Sequence, residues 1–202
     1  MDADSVEIRV LGCLIEKQRT TPDTYPLTLN ALRLACNQAT NRDPVVDYDE
    51  GMIRDALQRL WRKEWARLAS GQGSRAVKYR QLVQETLGLA GDEISVLGIL
   101  MLRGPQTPGE LKQRTERLNP FAGLAEVEET LERLIERDLV RRLERRPGQK
   151  EERYAQLLGG EVDDAAVDGS GAPRPAPARD PLEERVAVLE AEVAALKAEL
   201  GL

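Results

Sequence analysis

The chain has 202 residues, 41% hydrophobic and 32% charged, which is enough for two small domains and a tail. It has no run of about 18 apolar residues, and its first 20 residues carry acids where a secretory signal would carry bases. We therefore expect a cytoplasmic protein with no membrane segment. The sequence has no histidine, no glycine-rich phosphate loop and no clustered metal ligands, so we expect no enzyme, no cofactor and no metal site.

The formal net charge of −6 comes from one end of the chain. Residues 159–202 contain 4 basic and 10 acidic side chains, whereas residues 1–90 contain 13 and 12, and residues 91–158 contain 12 and 13. The two larger segments are therefore nearly neutral. This argues against a strong electrostatic nucleic-acid binder, because that class of protein is usually basic.

Three helices are predicted in the first part of the chain. Apolar residues at helical spacing predict a helix over about 5–17, and Thr21-Pro22-Asp23 has the composition of a second helix start. Asp49 can cap a third helix. The second helix is expected to bury Leu27, Leu29, Leu32, Ala35 and Cys36. The third is expected to bury Ile53, Ala56, Leu57, Leu60 and Trp61.

The pattern then changes to strands. Residues 65–70 and 76–83 alternate around Gly71-Gln72-Gly73-Ser74, which predicts a hairpin. Both cysteines, Cys13 and Cys36, lie within apolar helical patterns. We expect buried thiols, rather than ligands or nucleophiles.

The same order of elements is predicted again further along. A helix over 92–103 is followed by a capping box, Thr107-x-x-Glu110, that opens a second helix. A third helix is expected over 124–137, and strands over 139–144 and 153–158 flank Pro147-Gly148.

An internal repeat supports this reading. Residues 7–22 align without a gap with 93–108, and 53–67 align with 127–141. Three helices followed by a hairpin is the winged-helix order, so we expect a mainly α protein with small β-hairpins (α+β) that is built from two tandem winged-helix domains. The expected domains are a first unit at 1–88 and a second unit at 89–158.

A winged helix can place the polar face of its third helix in DNA while basic wing residues hold phosphates, or it can dock proteins. The third helix of the second unit is acidic, so DNA contact is expected through the first unit and both wings. The basic second wing has an alternative role, in which its arginines pair with glutamates of the neighbouring helix. The candidate DNA-binding residues are Arg54, Arg59, Arg62, Lys63, Arg75, Lys78, Arg145, Arg146 and Lys150.

The first unit has about 12 more residues than the second between its second-helix start and its third helix. This excess falls in 23–50, a stretch rich in amides that suits a recognition surface. The alternative is structural: Asn37 ends a helix, Asn41 and Asp43 shape a turn, and Asn30 satisfies a buried backbone group. The candidate recognition residues are Tyr25, Asn30, Asn37, Gln38, Asn41 and Arg42.

The long motif LGCLIEKQRTTPDTYPLTLNALRLACNQATNRDPV, with the later QTPGELKQR and RPGQKEERYAQLL, closely resembles the uncharacterised bacterial YceH family. The resemblance covers most of 5–162 and also the tail. It implies a tandem winged-helix fold with no established activity, and it brings no catalytic residues. The candidate recognition residues match its signature motif.

The tail is expected to contain a flexible linker at 159–181, which is rich in Gly, Pro and Asp, and a short coiled-coil helix at 182–202. Apolar residues at heptad spacing, with valine at a and leucine at d, favour a parallel homodimer. The alternative is an amphipathic helix that docks on the winged helices or on another protein. The candidate dimerisation residues are Leu182, Val186, Leu189, Val193, Leu196 and Leu200.

Two functions remain after the enzyme class is set aside. The first is a DNA-associated or transcription-regulatory dimer that binds double-stranded DNA. The alternative is a protein–protein interaction scaffold that uses the acidic third helix of the second unit and the amide-rich stretch. Binding that weakens steeply with salt would distinguish the first from the second.

Overall fold

The computed structural model describes residues 3–69, 76–145 and 151–160, all within one body of the chain, Met1–Ala166. The fold is mainly helical with two small antiparallel sheets, which confirms the predicted α+β class. In the described part of the chain, no helix is long and apolar enough to cross a membrane. The helices are α1 (Ser5–Thr20), α2 (Leu29–Cys36), α3 (Glu50–Arg62), α4 (Val83–Thr86), α5 (Gly91–Arg103), α6 (Pro108–Thr115) and α7 (Leu124–Glu136). The strands are β1 (Leu27–Thr28), β2 (Ala66–Leu68), β3 (Lys78–Gln81), β4 (Val140–Leu143) and β5 (Arg153–Gln156).

Each unit has three longer helices followed by an antiparallel strand pair in the same order, and the first unit also contains β1 and the short helix α4. In the first unit β3 lies between β1 and β2, and Tyr79 on β3 pairs with Leu27 on one side and Leu68 on the other. In the second unit Tyr154 occupies the corresponding place, because it pairs with Arg142 of β4 and makes an isolated bridge to Gln106.

Two predicted helix starts are confirmed by their caps. The Asp49 side chain accepts a hydrogen bond from the Met52 backbone N–H at 2.8 Å, at the start of α3. In the predicted capping box, Thr107 Oγ1 accepts from Glu110 N at 3.2 Å and the Glu110 carboxylate accepts from Thr107 N at 2.9 Å. These bonds satisfy amides that have no partner within the helix, and so they fix where each helix begins.

The prediction that the second helix begins at Thr21-Pro22-Asp23 is wrong. Pro22–Thr24 form a single 3₁₀ turn, and the helix starts only after Thr28, whose side chain accepts from Ala31 N at 3.2 Å. A continuous helix from position 22 would place Pro26 in its interior, where the missing N–H and the ring would break it. The chain instead forms the short strand β1 before α2.

The prediction that Trp61 is buried is also wrong, since 63% of this residue is exposed. The side chains that fill the core side of α3 are Ile53, Ala56, Leu57 and Leu60. Trp61 follows Leu60 by about 100° around the helix and lies outside that stripe. Trp65, beyond the end of α3 and 3% exposed, is the tryptophan that is buried.

The two units pack together chiefly through α1 and α5, and a glycine on each helix allows close approach. A Cβ on Gly12 would lie 2.9 Å from Leu102 Cγ and 3.1 Å from Met101 Cβ. A Cβ on Gly98 would lie 2.9 Å from Ile15 Cγ2. Gly12 and Gly98 are equivalent in the internal repeat, as are Ile15 and Met101. The same contact therefore occurs twice, once from each side.

Candidate functional site

Two of the candidate DNA-binding residues, Arg59 of α3 and Lys63 just after it, form ion pairs with the start of α1. Glu7 is 1% exposed, and its Oε1 accepts from Lys63 Nζ at 2.6 Å. Arg59 Nη2 donates to Asp4 Oδ2 at 2.7 Å, and Arg59 Nε lies 3.6 Å from Glu7 Oε2. Arg59 and Lys63 are therefore occupied by carboxylates at the start of α1.

The same ion pairs recur in the second unit. Glu93, the repeat equivalent of Glu7, lies 3.4 Å from Arg133 Nε and 3.3 Å from Arg137 Nη1. Its carboxylate also accepts from Ala90 N at 2.8 Å. A glutamate that is repeated together with its arginine partner was the sequence signal that these basic residues have a structural role.

The other candidate DNA-binding residues lie in separate places. Arg54 and Arg62 are exposed on α3, and Arg145 is exposed just after β4. Lys78 is half-buried on β3 and has a partner. The candidates that lie outside the described residues are Arg75, Arg146 and Lys150.

An open apolar groove runs between α3 and the strands of the first unit. Trp61 and Leu68 form its sides and are 63% and 59% exposed, Leu57 and Ala66 are buried beneath, and its volume is about 340 Å³. Tyr79 also lines it. We call this the Trp61 groove. Its polar rim consists of Arg54, Asp55, Gln58 and Arg67.

The corresponding place in the second unit is polar. Arg142 stands where Leu68 stands in the first unit, since each pairs with the tyrosine of the neighbouring strand. Its guanidinium lies 5.6 Å from the centroid of the Tyr154 ring and donates to Glu132 Oε1 at 2.5 Å. This ion pair agrees with the alternative role proposed for the arginines of the second wing. Arg142 and the neighbouring glutamates thus make this place polar, whereas the corresponding place in the first unit is apolar.

The candidate recognition residues nearest α2 make internal hydrogen bonds. Asn37 caps the end of α2, donates to Tyr48 O at 2.8 Å and accepts from Tyr48 N at 2.9 Å. The Tyr25 hydroxyl accepts from Gln81 N at 2.8 Å, and burial raises the pKa of Tyr25 to about 12. Asn30 is exposed and accepts from Arg33 at 3.2 Å. Asn37 and Tyr25 therefore fix the chain on either side of α2.

Arg42 is the most buried of these residues. Its side chain is 0% exposed and donates to both carboxylate oxygens of Glu16, at 3.1 and 2.7 Å. It also donates to Gln38 Oε1 at 3.0 Å and to Ala35 O at 3.1 Å. Asn41 has a φ of 59° and accepts from Arg103 of α5. The extra residues of the first unit are thus held onto α1 and α5.

The cysteines agree with the sequence-based prediction, since Cys13 and Cys36 are both free and buried. A hydrogen bond with Cys13, and after it burial, raises the pKa of the Cys36 thiol. Within the described ranges, no group of three or more Cys, Asp or Glu side chains is placed to hold a metal ion.

The candidate dimerisation residues 182–200 lie outside the described part of the chain.

Comparisons with known proteins cover almost the whole sequence. A UPF0502 protein from Geotalea uraniireducens is 50% identical over 203 residues, which is 98% of this chain and 91% of that protein. One from Pelobacter propionicus is 49% identical over 100% of this chain and 93% of its own length. The UPF0502 protein YceH of Salmonella paratyphi B is 44% identical, with 97% and 93% covered.

A family model described as "Protein of unknown function, DUF480" matches residues 3–149. Together with relatives that span nearly all of both sequences, this match confirms the resemblance to the YceH family. The chain belongs to the DUF480 family.

Proposed function

We propose that this protein is a non-enzymatic tandem winged-helix protein that binds a protein partner through the Trp61 groove of its first unit. The order of three helices and a strand pair in each unit supports the winged-helix assignment. Winged helices serve both in DNA binding and in protein docking, so the choice between these functions depends on the surface itself.

The observation that carries the proposal is an apolar groove with an exposed tryptophan. Trp61 and Leu68 leave more than half of their surface in water beside the buried Leu57. Adjacent large apolar side chains of this kind mark interaction surfaces, and tryptophan is among the residues that contribute most to binding energy. The polar counterpart around Arg142 in the second unit has no such character.

The charges on the rim indicate the chemistry of the partner. Arg54 and Arg67 border the groove, and among the described residues that line it the acidic one is Asp55. Arg62 is exposed on the same helix. A segment with one or two large apolar side chains flanked by carboxylates would match both the floor and the rim.

Selection from a library of random displayed peptides on the full chain tests this function. We expect the selected peptides to combine Leu, Phe or Trp with Asp or Glu. Leu68→Arg, which copies the arginine of the second unit, should weaken their binding by about tenfold or more, because it replaces an apolar side of the groove with a charge. The control Leu124→Arg alters an exposed leucine of the second unit and should leave peptide binding unchanged. If the peptides bound the Leu68→Arg variant as tightly as the wild type, the Trp61 groove would not be their binding site.

Double-stranded DNA is the second candidate partner, and one observation favours it. Arg54, Arg62 and Arg67 are all exposed in the first unit and have no ion-pair partner among the described residues. Leu68→Arg separates the two functions, because an added cation should strengthen duplex binding while it weakens peptide binding. A DNA-binding protein should also lose affinity steeply between about 50 and 200 mM salt.

We also propose that residues 182–202 join two chains in a parallel dimer, because their apolar residues follow a heptad pattern in the sequence. Deletion of this segment should halve the mass measured by light scattering. If the deletion left the mass unchanged, the segment would have no part in dimerisation.

A further inference from the structure

We propose that a small anionic molecule, carrying a phosphate or carboxylate group, binds in a cleft between the two units. The cleft lies between α1, α5 and α6 and has a volume of about 320 Å³. We call it the inter-unit cleft, and it is separate from the Trp61 groove. The charged and amide side chains that line it are Glu16, Asn41, Arg103, Gln113, Arg114 and Arg117.

Three guanidinium groups line this cleft and little negative charge offsets them. Glu16 also lines it, but both of its oxygens accept from the buried Arg42. Arg114 lies 3.6 Å from Glu110. Glu110 itself already accepts from Arg153 Nη1 at 2.9 Å, besides its part in the cap of α6. The cleft therefore has an excess of positive charge.

Arg103 is the residue most affected by this excess. Burial, and after it the positive charges of Arg114 and Arg42, lower the pKa of Arg103 below its ordinary value. The acceptor of its side-chain hydrogen bond is the neutral amide oxygen of Asn41. An anion between Arg103 and its neighbours would replace repulsion with attraction.

The remaining lining residues limit the class of ligand. Gln113 and Thr20 supply neutral hydrogen-bonding groups, while Ile99, Leu102 and Leu118 supply an apolar wall. Arginines bind phosphate and carboxylate oxygens through paired N–H groups, and the apolar wall suits a short carbon skeleton. A volume of about 320 Å³ is at the small end of ligand pockets. These features fit a small organic acid or phosphate ester.

Binding at this cleft would connect the two units. Glu16 and Asn41 belong to the first unit, whereas Arg103 and Arg117 belong to the second. A ligand held by both sides adds contacts across the α1–α5 interface and stabilises the folded chain in proportion to its occupancy.

The test uses the full chain, with inorganic phosphate and citrate as probes and sodium chloride at equal ionic strength as the reference. We expect phosphate or citrate to raise the melting temperature beyond the chloride reference, and calorimetric titration to detect binding of the same anion. Arg103→Gln together with Arg117→Gln should weaken that binding by about tenfold or more. Arg33→Gln together with Arg80→Gln, at two residues that line neither this cleft nor the Trp61 groove, changes the net charge equally and should leave anion binding unaltered.

Two results would overturn the proposal. One is the absence of any effect of either anion beyond chloride. The other is an equal loss of binding in both double variants, which would indicate a general effect of charge. Misfolding is checked independently, by circular dichroism and by the melting temperature of each double variant in chloride.

Discussion

Replacement of Arg42 by methionine should lower the free energy of unfolding by about 3–5 kcal/mol, the cost typical of removing one member of a buried ion pair. The substitution leaves Glu16, whose side chain is 13% exposed, without the partner that donates to both of its oxygens. It also removes the donors to Gln38 and to the carbonyl of Ala35. Equilibrium unfolding in urea, monitored by circular dichroism, measures the change.

Two further variants identify the cause. Glu16→Met combined with Arg42→Met removes both charges and should recover most of the loss, because no unpaired charge is then buried. Arg62→Met removes an exposed arginine and should change stability by less than about 0.5 kcal/mol. A loss below about 1 kcal/mol for Arg42→Met alone would contradict the assigned role of the ion pair.

The same ion pair gives a pH dependence with a defined sign. Burial by itself would raise the pKa of Glu16, but hydrogen bonds and attraction from Arg42 outweigh it and lower the pKa from its ordinary value of 4.5. A carboxyl group whose pKa is lowered by folding stabilises the folded state at pH values above its ordinary pKa. This contribution is lost as the pH falls towards the pKa of the folded state. The difference between wild type and Arg42→Met should therefore narrow below about pH 4.5.

Gly12→Val should destabilise the protein by about 3 kcal/mol, because added volume in a packed core is costly. The new Cβ would meet Leu102 at 2.9 Å and Met101 Cβ at 3.1 Å. Leu102 is buried, and Met101 Cβ is next to the backbone, so neither atom can move away easily. The midpoint of urea unfolding reports the loss.

Gly109→Val is the matched control. A Cβ on Gly109, in the first turn of α6, would find Thr107 Oγ1 at an ordinary 3.9 Å. Valine there should be neutral or slightly stabilising, since glycine is the poorer helix former. Equal unfolding midpoints for the two variants would mean that the α1–α5 contact is not tightly packed.

Much of the fold could be predicted because its signals are local. The caps at Asp49 and Thr107 and the change of period at each hairpin lie within a few residues of the elements they define. Trp61 could not be placed in the same way. Whether a residue at the edge of an apolar stripe is buried depends on the neighbouring strands, and the adjacent strand residue Leu68 is itself 59% exposed.

The candidate site was harder to predict for the same reason. Arg59 and Lys63 lie at the polar end of α3, where DNA contact and ion pairing predict the same residue types. The signal for ion pairing was the repetition of Glu7 as Glu93. The Trp61 groove combines residues that are far apart along the chain, Leu57 and Tyr79 among them. The amides at 37–41 were identified as distinctive, and for Asn37 the structure agrees with the structural alternative, since this residue caps the end of α2.

The paired contacts of Gly12 and Gly98 are those of an isologous interface, in which the same patch of two equivalent bodies meets itself. This protein therefore contains, within one chain, the contact that a homodimer of single units would make. Because the second unit is covalently attached, the association has a high effective concentration and does not depend on how much protein is present. The patch is also buried between the two units, so any self-association of whole chains requires a different surface.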